Sequence, residues 1–291
     1  MQKLLVTGAS GFLGWNLCQV AATNWEVYGT SFSKSIALPR TTILAIDLTD
    51  FAAMQHLFED VQPDAVIHLA AQSSPNVCQN QPEASYRLNV TAAVNLAGLC
   101  ADRSLPYAFA SSEMVFDGLN APYKEDDRVS PINRYGEQKA LAEVEILDRY
   151  PKAAICRMPL MFGAVPPTAS SFIQPFIQAL RSGQELKLFT DEFRTPVSGT
   201  TAAKGLLLAL QREQGRLHLG GKERVSRYEF GCLMADILSL PTASMIACRQ
   251  QDVPMAAKRP PDLSLDSTKA FQFGYAPPSL RGELETLVGK V

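Results

Sequence analysis

Through the first half of the chain, short apolar runs alternate with stretches of helical periodicity. The runs Lys3–Thr7, Glu26–Thr30, Thr42–Ile46, Ala65–Leu69, Tyr107–Ser111 and Ala153–Arg157 carry apolar residues side by side rather than at every second position. A strand with one wet face would alternate, so continuous runs predict parallel strands buried on both faces. Between them, the patterns over Leu13–Thr23, Phe51–Asp60, Glu83–Arg103 and Asn133–Tyr150 predict helices, the second capped by Asp50. Strand and helix in that rhythm require right-handed crossovers. They predict an α/β fold built on a doubly wound parallel sheet of the Rossmann type.

Beyond Gly163 the pattern loosens. Helices are expected at Ser171–Ser182, Thr201–Leu210, Arg227–Leu238 and Leu280–Val288, with a loop at Thr190–Pro196 and a proline-rich stretch at Pro254, Pro260 and Pro261. No flexible linker separates the halves. Residues 164–291 are therefore expected to form a smaller mixed part packed against residues 1–163, with a cleft between them and segments free to interleave.

Composition removes several function classes. Net charge is −2 with no long basic run, which gives no electrostatic case for nucleic acid. No apolar run reaches the roughly 20 residues of a membrane helix, and the N-terminus enters a strand at once instead of resembling a signal peptide. The six cysteines are scattered, without a C-x-x-C pair or a histidine at ligand spacing. They read as buried or half-buried free thiols, with no metal site, in a cytoplasmic protein.

The chemistry starts at Gly8-Ala9-Ser10-Gly11-Phe12-Leu13-Gly14, directly after the first strand and opening a helix. Glycines there let the chain turn, let a pyrophosphate approach the main chain, and let the helix pack on the strand. The helix N-terminus supplies N–H groups and partial positive charge to the phosphates. The residues around this loop resemble the signature T-G-A-x-G-F-x-G of the extended short-chain dehydrogenase/reductase family, which implies a nicotinamide dinucleotide. After the second strand comes Thr30-Ser31-Phe32-Ser33-Lys34, with no acid to take the ribose hydroxyls of NAD. Ser31 and Lys34 suit a 2′-phosphate instead, so the charge favours NADP(H), with NAD(H) the other candidate. By the same resemblance Asp47-Leu48 would contact the adenine end, and Ala70-Ala71-Gln72 would lie beside the cofactor.

Tyr135 and Lys139, four apart on one predicted helix, share a face. Carbonyl reduction needs a proton donor on the forming alkoxide, and a nearby ammonium is expected to lower the phenol's pKa and hold the nicotinamide ribose. Ser112, at the C-terminal end of the fifth strand, is the third candidate, placed to bond the substrate oxygen. Asn89, in Leu88-Asn89-Val90, resembles the family's helix asparagine near the active site.

Longer segments narrow the resemblance. Ser111-Ser112-Glu113-Met114-Val115-Phe116-Asp117-Gly118, Tyr123-Lys124-Glu125-Asp126-Asp127 and Pro131-Ile132-Asn133-Arg134-Tyr135-Gly136 resemble dTDP-4-dehydrorhamnose reductases and their relatives, as do Phe193–Val197 and Arg259–Asp266. The resemblance implies that Ser112 and Glu113 contact the sugar of a nucleotide-activated 4-keto substrate, with Arg259 as a partner for its diphosphate. Met114 and Leu160 depart from the family, standing where the reductases commonly carry a tyrosine and a tryptophan, which points to an altered substrate. Two other functions stay open: a nucleotide-sugar epimerase or dehydratase, and a non-catalytic NADP-binding regulatory subunit such as the β subunit of methionine adenosyltransferase. A homodimer is the candidate assembly.

Overall fold

The computed structural model describes residues 1–212, 214–254 and 259–291. The six apolar runs become β1 (Lys3–Thr7), β2 (Glu26–Ser31), β3 (Thr41–Ala45), β4 (Ala65–His68), β5 (Tyr107–Ser112) and β6 (Ala154–Met158). The helices among them are α1 (Phe12–Ala21), α2 (Phe51–Val61), α3 (Pro75–Asn80), α4 (Pro82–Tyr86), α5 (Ala92–Asp102) and α6 (Arg134–Arg149). Asp50 caps α2 by accepting the Ala53 N–H at 3.1 Å.

The long helix expected over Glu83–Arg103 is broken. It runs as α4, a π turn over Arg87–Thr91, and α5, preceded by the separate α3. Prolines account for the early breaks: Pro75 and Pro82 each stand in a first helical turn, where a missing N–H costs nothing, and neither could sit mid-helix. The π turn adds a residue and rotates α5 relative to α4.

After β6 come β7 (Met161–Phe162), α7 (Ile173–Arg181), β8 (Leu186–Phe189), β9 (Phe193–Arg194) and β10 (Val197–Ser198). The expected loop over Thr190–Pro196 thus contains a two-residue strand. The remaining elements are α8 (Gly199–Arg212), β11 (Gly215–His218), β12 (Val225–Ser226), α9 (Arg227–Ile237), β13 (Met245–Cys248), α10 (Thr268–Gln272) and α11 (Leu280–Glu285). The last helix stops short of Val288.

Seven strands form one sheet in the order β11-β6-β5-β4-β1-β2-β3, every pairing parallel. Alternate side chains of the buried strands feed two cores. Leu4, Val6, Ala108 and Cys156 pack toward α1 and α8, whereas Leu5, Val66, Phe109 and Ile155 pack toward α2, α5 and α6. A third core joins α7, β8, α9 and α11. Both α8 and β11 lie past Gly163 yet belong to the main sheet layer. Strand order reverses between β1 and β4, and the crevice at their C-terminal ends is where sheets of this kind bind ligands.

A charged plug crosses the layer behind that crevice. Glu143 on α6 pairs with Arg157 on β6 at 2.8 Å, each side chain 1% exposed. Arg157 also donates to the Glu125 carbonyl at 3.1 Å, and Ser111 Oγ bonds Glu143 at 2.5 Å. Removing one partner leaves the other charge stranded in a dry interior. Glu143→Ala should therefore cost about 3–5 kcal/mol, read as a lower urea midpoint; a midpoint within experimental error of wild type would show that the pair is dispensable.

Candidate functional site

The glycine loop, the end of β5 and the start of α6 face one cleft of about 790 Å³ at the C-terminal edge of the sheet. Gly8, Gly11, Phe12, Leu13 and Gly14 line it. Gly11 is the N-cap of α1, so the helix start faces the cavity. A Cβ on Gly14 would fall 2.1 Å from the Gly8 carbonyl oxygen, which leaves glycine as the residue that lets loop and helix close together. Backbone N–H groups at a helix start, with no side chain in the way, fit a pyrophosphate.

The wall beyond the loop contains Ser31, Asp47, Leu48, Ala70 and Ala71. Ser31 Oγ lies 3.0 Å from Ser10 Oγ, and Asp47 Oδ1 accepts the N–H and hydroxyl of Thr49 at 2.8 and 2.7 Å. Thr7 Oγ1 accepts the N–H groups of Leu69 and Ala70 at 3.1 and 3.2 Å. Its own proton then goes to His68 Nδ1, 2.6 Å away, which ties the Ala70-Ala71 strip to the end of β1. Two expected cofactor residues stand off the cleft lining. Lys34 is exposed and its ammonium bonds the Thr168 carbonyl. Gln72 turns its side-chain oxygen to the Ser74 N–H at 3.2 Å, while its backbone is held by Asn89.

At the other end, Ser112, Tyr135 and Lys139 line the cavity together. Asn133 caps α6 by accepting the Gly136 N–H at 3.0 Å. A Cβ on Gly136 would meet the Met114 carbonyl oxygen at 2.1 Å, so this glycine lets α6 dock on the turn after β5. Ser112 Oγ, which accepts the Met114 N–H at 3.2 Å, lies beside the Tyr135 phenol. Lys139 Nζ donates to the Ala110 carbonyl at 2.8 Å and lies 4.3 Å from the Phe109 ring centroid.

The electrostatics depart from the sequence expectation. Burial raises the Tyr135 phenol above its ordinary value, opposed by the Ser112 hydroxyl. Burial also lowers Lys139 to about 7, against the pull of Glu143. Desolvation disfavours the charged form of each group, and here it outweighs the attraction expected between them. The phenol is held protonated, the state a proton donor requires, and the lysine can gain or lose a proton near neutrality.

Glu113 lines the cleft, but both carboxylate oxygens are engaged. Oε1 pairs with Arg194 Nε at 2.9 Å and Oε2 accepts the Leu160 N–H at 3.2 Å. Burial pushes it up to about 7 against the nearby Arg194 and Arg227. Arg227 pairs with Glu192 at 2.8 Å and covers the Phe172 ring, which also lines the cleft. Arg259 is half-buried behind this cluster, close to Glu192, Arg227 and Arg194, and off the cleft lining. Arg194 falls in the Phe193–Val197 segment that resembles the reductases, without a site role there, and Arg227 carries no sequence signal. Nothing in local spacing links them to Glu113; only the fold does. Among the described residues no group of histidine, cysteine and acidic side chains could hold a metal ion, and no helix is long and apolar enough to cross a membrane. Cys232 is exposed, unlike the buried or half-buried thiols expected.

The family model for the RmlD substrate binding domain matches residues 1–291. The chain belongs to that family. Methionine adenosyltransferase 2 subunit beta of Mus musculus is 32% identical over 282 residues, covering 94% of this chain and 83% of that protein. The Haloferax volcanii protein named "Probable low-salt glycan biosynthesis reductase Agl14" is 29% identical, covering 97% and 96%. A solved structure described as a hypothetical dTDP-4-dehydrorhamnose reductase from Sulfolobus tokodaii aligns with TM-score 0.85 and 29% identity, covering 97% of this chain and 99% of that one. The fold expected from the alternating pattern is the one the Sulfolobus tokodaii structure has.

The lysine shift sets a stability prediction. Unfolded, Lys139 titrates near 10.5; folded, it titrates at about 7. Between those values the unfolded chain binds the extra proton, so this residue makes stability rise with pH across that window. Lys139→Met should flatten the rise in urea midpoint between pH 7 and 10, whereas parallel curves for the two proteins would contradict the burial of this ammonium.

Proposed function

We propose that the protein is an NADPH-dependent reductase of a nucleotide-activated 4-keto sugar. One observation carries this reading: a glycine-lined dinucleotide cradle and the Ser112–Tyr135–Lys139 set line a single cleft. The bound cofactor supplies the hydride. Ser112 and Tyr135 bond the carbonyl oxygen, and the Tyr135 phenol gives its proton to that oxygen as negative charge develops. Lys139 holds the ribose hydroxyls and returns a proton to the phenol. Ser31 and Lys34 receive the 2′-phosphate, with Asp47 and Leu48 at the adenine end and the strip Ala70-Ala71-Gln72 beside the nicotinamide. Arg259, together with Arg194 and Arg227, offers a cationic end to the substrate's diphosphate. A nucleotide-sugar epimerase or dehydratase would use the same three groups with a retained cofactor, and stoichiometric cofactor in the purified protein would favour it.

The identity with methionine adenosyltransferase 2 subunit beta favours a second reading, in which the cleft holds a dinucleotide without turning it over and the partner is a methionine adenosyltransferase. NADPH consumption with a panel of nucleotide sugars and simple ketones, beside sedimentation with a methionine adenosyltransferase, separates the two.

Tyr135→Phe keeps the ring and removes the proton donor, so turnover should fall at least about 100-fold with NADPH affinity little changed. Retained turnover in that variant would sink the mechanism. NADPH should also bind more tightly than NADH in direct titration. Lys34→Ala, which removes the ammonium that must leave Thr168 for the phosphate, should weaken NADPH roughly 10-fold or more and leave NADH unchanged. Equal losses for both cofactors would defeat the phosphate assignment.

A further inference from the structure

We infer that Gln138 is a positioning residue that fixes the helix carrying Tyr135 and Lys139 against the Ala70–Gln72 strip of the cleft; the inference rests on the proposed nicotinamide site. Gln138 stands between Tyr135 and Lys139 in sequence and is 2% exposed. Its side-chain oxygen accepts from Asn89 Nδ2 at 2.8 Å. Its Nε2 donates to Ser85 Oγ at 2.8 Å and to the Pro82 carbonyl at 3.1 Å. Asn89, 1% exposed, clamps the backbone of Gln72 from both sides: Oδ1 accepts the Gln72 N–H at 2.8 Å and Nδ2 donates to the Gln72 carbonyl at 3.1 Å.

Two buried amides thus run from the strip to the helix, Gln72 to Asn89 to Gln138, with partners at both ends of each. Packing alone does not call for them, since an apolar side chain of similar volume would fill the same space without a desolvation cost. What an amide pair adds is direction: each must meet a donor and an acceptor at hydrogen-bond range, and a shift of either element breaks both. The π turn over Arg87–Thr91 is the local device that turns Asn89 inward to complete the link. Ala70 and Ala71 precede Gln72 on the strip, and Tyr135 and Lys139 flank Gln138 on the helix. The tie therefore sets the gap between the surface beside the nicotinamide and the groups that meet its ribose and the substrate oxygen.

The test uses the full chain with Gln138→Met, which keeps length and volume, Asn89→Leu, and the double variant. Three quantities are read: NADPH Kd, the emission enhancement of the bound nicotinamide, and turnover on whichever ketone the wild type reduces. Gln138→Met should leave Kd within about threefold, return nicotinamide emission toward that of free NADPH, and lower kcat by about 10-fold or more, the scale of sub-ångström misplacement. The double variant should be no worse than the worse single one, because both cut the same tie. Wild-type emission and kcat in Gln138→Met, or effects that multiply in the double variant, would overturn the inference. Should Gln138→Met fail to fold, Asn89→Leu reads the tie from the other side, with the same outcomes. Emission needs binding only, so the two readings fail separately. A wild type that binds NADPH and reduces nothing, with emission lost in Gln138→Met, ends the reductase reading and upholds the tie. A reducing wild type with an unaltered Gln138→Met does the reverse.

Discussion

The cleft depends on how closely the first turn of α6 approaches the end of β5. Backbone meets backbone there, because a Cβ on Gly136 would lie 2.1 Å from the Met114 carbonyl oxygen. Asn133 starts the helix at that point by capping it, and Tyr135 then reaches Ser112 while Lys139 reaches back to Ala110. The same constraint appears on the opposite wall, where Gly14 allows α1 to close on the Gly8 carbonyl. Two close approaches, each allowed by a missing side chain, bring the N-termini of two helices to one crevice. Any larger residue at either position would separate a wall of the cleft from its floor.

Close docking also sets the chemistry, because it excludes water from the groups it brings together. A charge loses hydration when buried and regains it only from partners at contact range. Lys139 has a carbonyl and an aromatic face as partners, with Glu143 one turn further along α6, and this does not restore an ordinary ammonium. Tyr135 has a neutral hydroxyl, so ionising it is more costly than in water. The expectation of an ammonium stabilising a phenolate treated the pair as if both were solvated. In the dry cleft both groups shift toward neutrality instead.

The fold was legible where the sequence has one dominant demand. Strands buried on both faces must be apolar along most of their length, so β1, β4, β5 and β6 stand out whatever surrounds them, whereas β3, at the sheet edge, has no buried residue. The glycine loop and the Tyr135–Lys139 spacing are local patterns as well, and they line one cleft. What stayed hidden is non-local or short. Gly215–His218 is four residues long and half polar, and only the packing of α8 on α1 returns it to the sheet as β11. The break at Arg87–Thr91 leaves no mark in helical periodicity, since a π turn shifts the phase by one residue. Arg194 and Arg227 reach the Glu113 region from strands and helices far along the chain. Lys34 stands three residues beyond β2, and its bond to the Thr168 carbonyl depends on a segment far along the chain.

The two residues that depart from the reductase pattern line the cleft together. Leu160 and Met114 stand in place of an aromatic platform and a hydroxyl, and Met158 and Met161 line the same surface. Thioethers are pliable and offer no directional bond, so this wall can accept several shapes. Apolar contact of that sort separates ligands differing by a methylene by only about 1–3 kcal/mol, whereas a buried polar group left unpaired by the wrong ligand discriminates far more strongly. The polar discrimination must therefore come from elsewhere. Glu113 is the polar group next to that wall, and its oxygens are already shared with Arg194 and with the Leu160 N–H. A ligand hydroxyl approaching it meets a carboxylate that is held in place and partly neutralised. Arg194 and Arg227 are paired with Glu113 and Glu192, and with Arg259 they stand off the cleft lining, so their charge is met by those carboxylates before any group in the cleft reaches it.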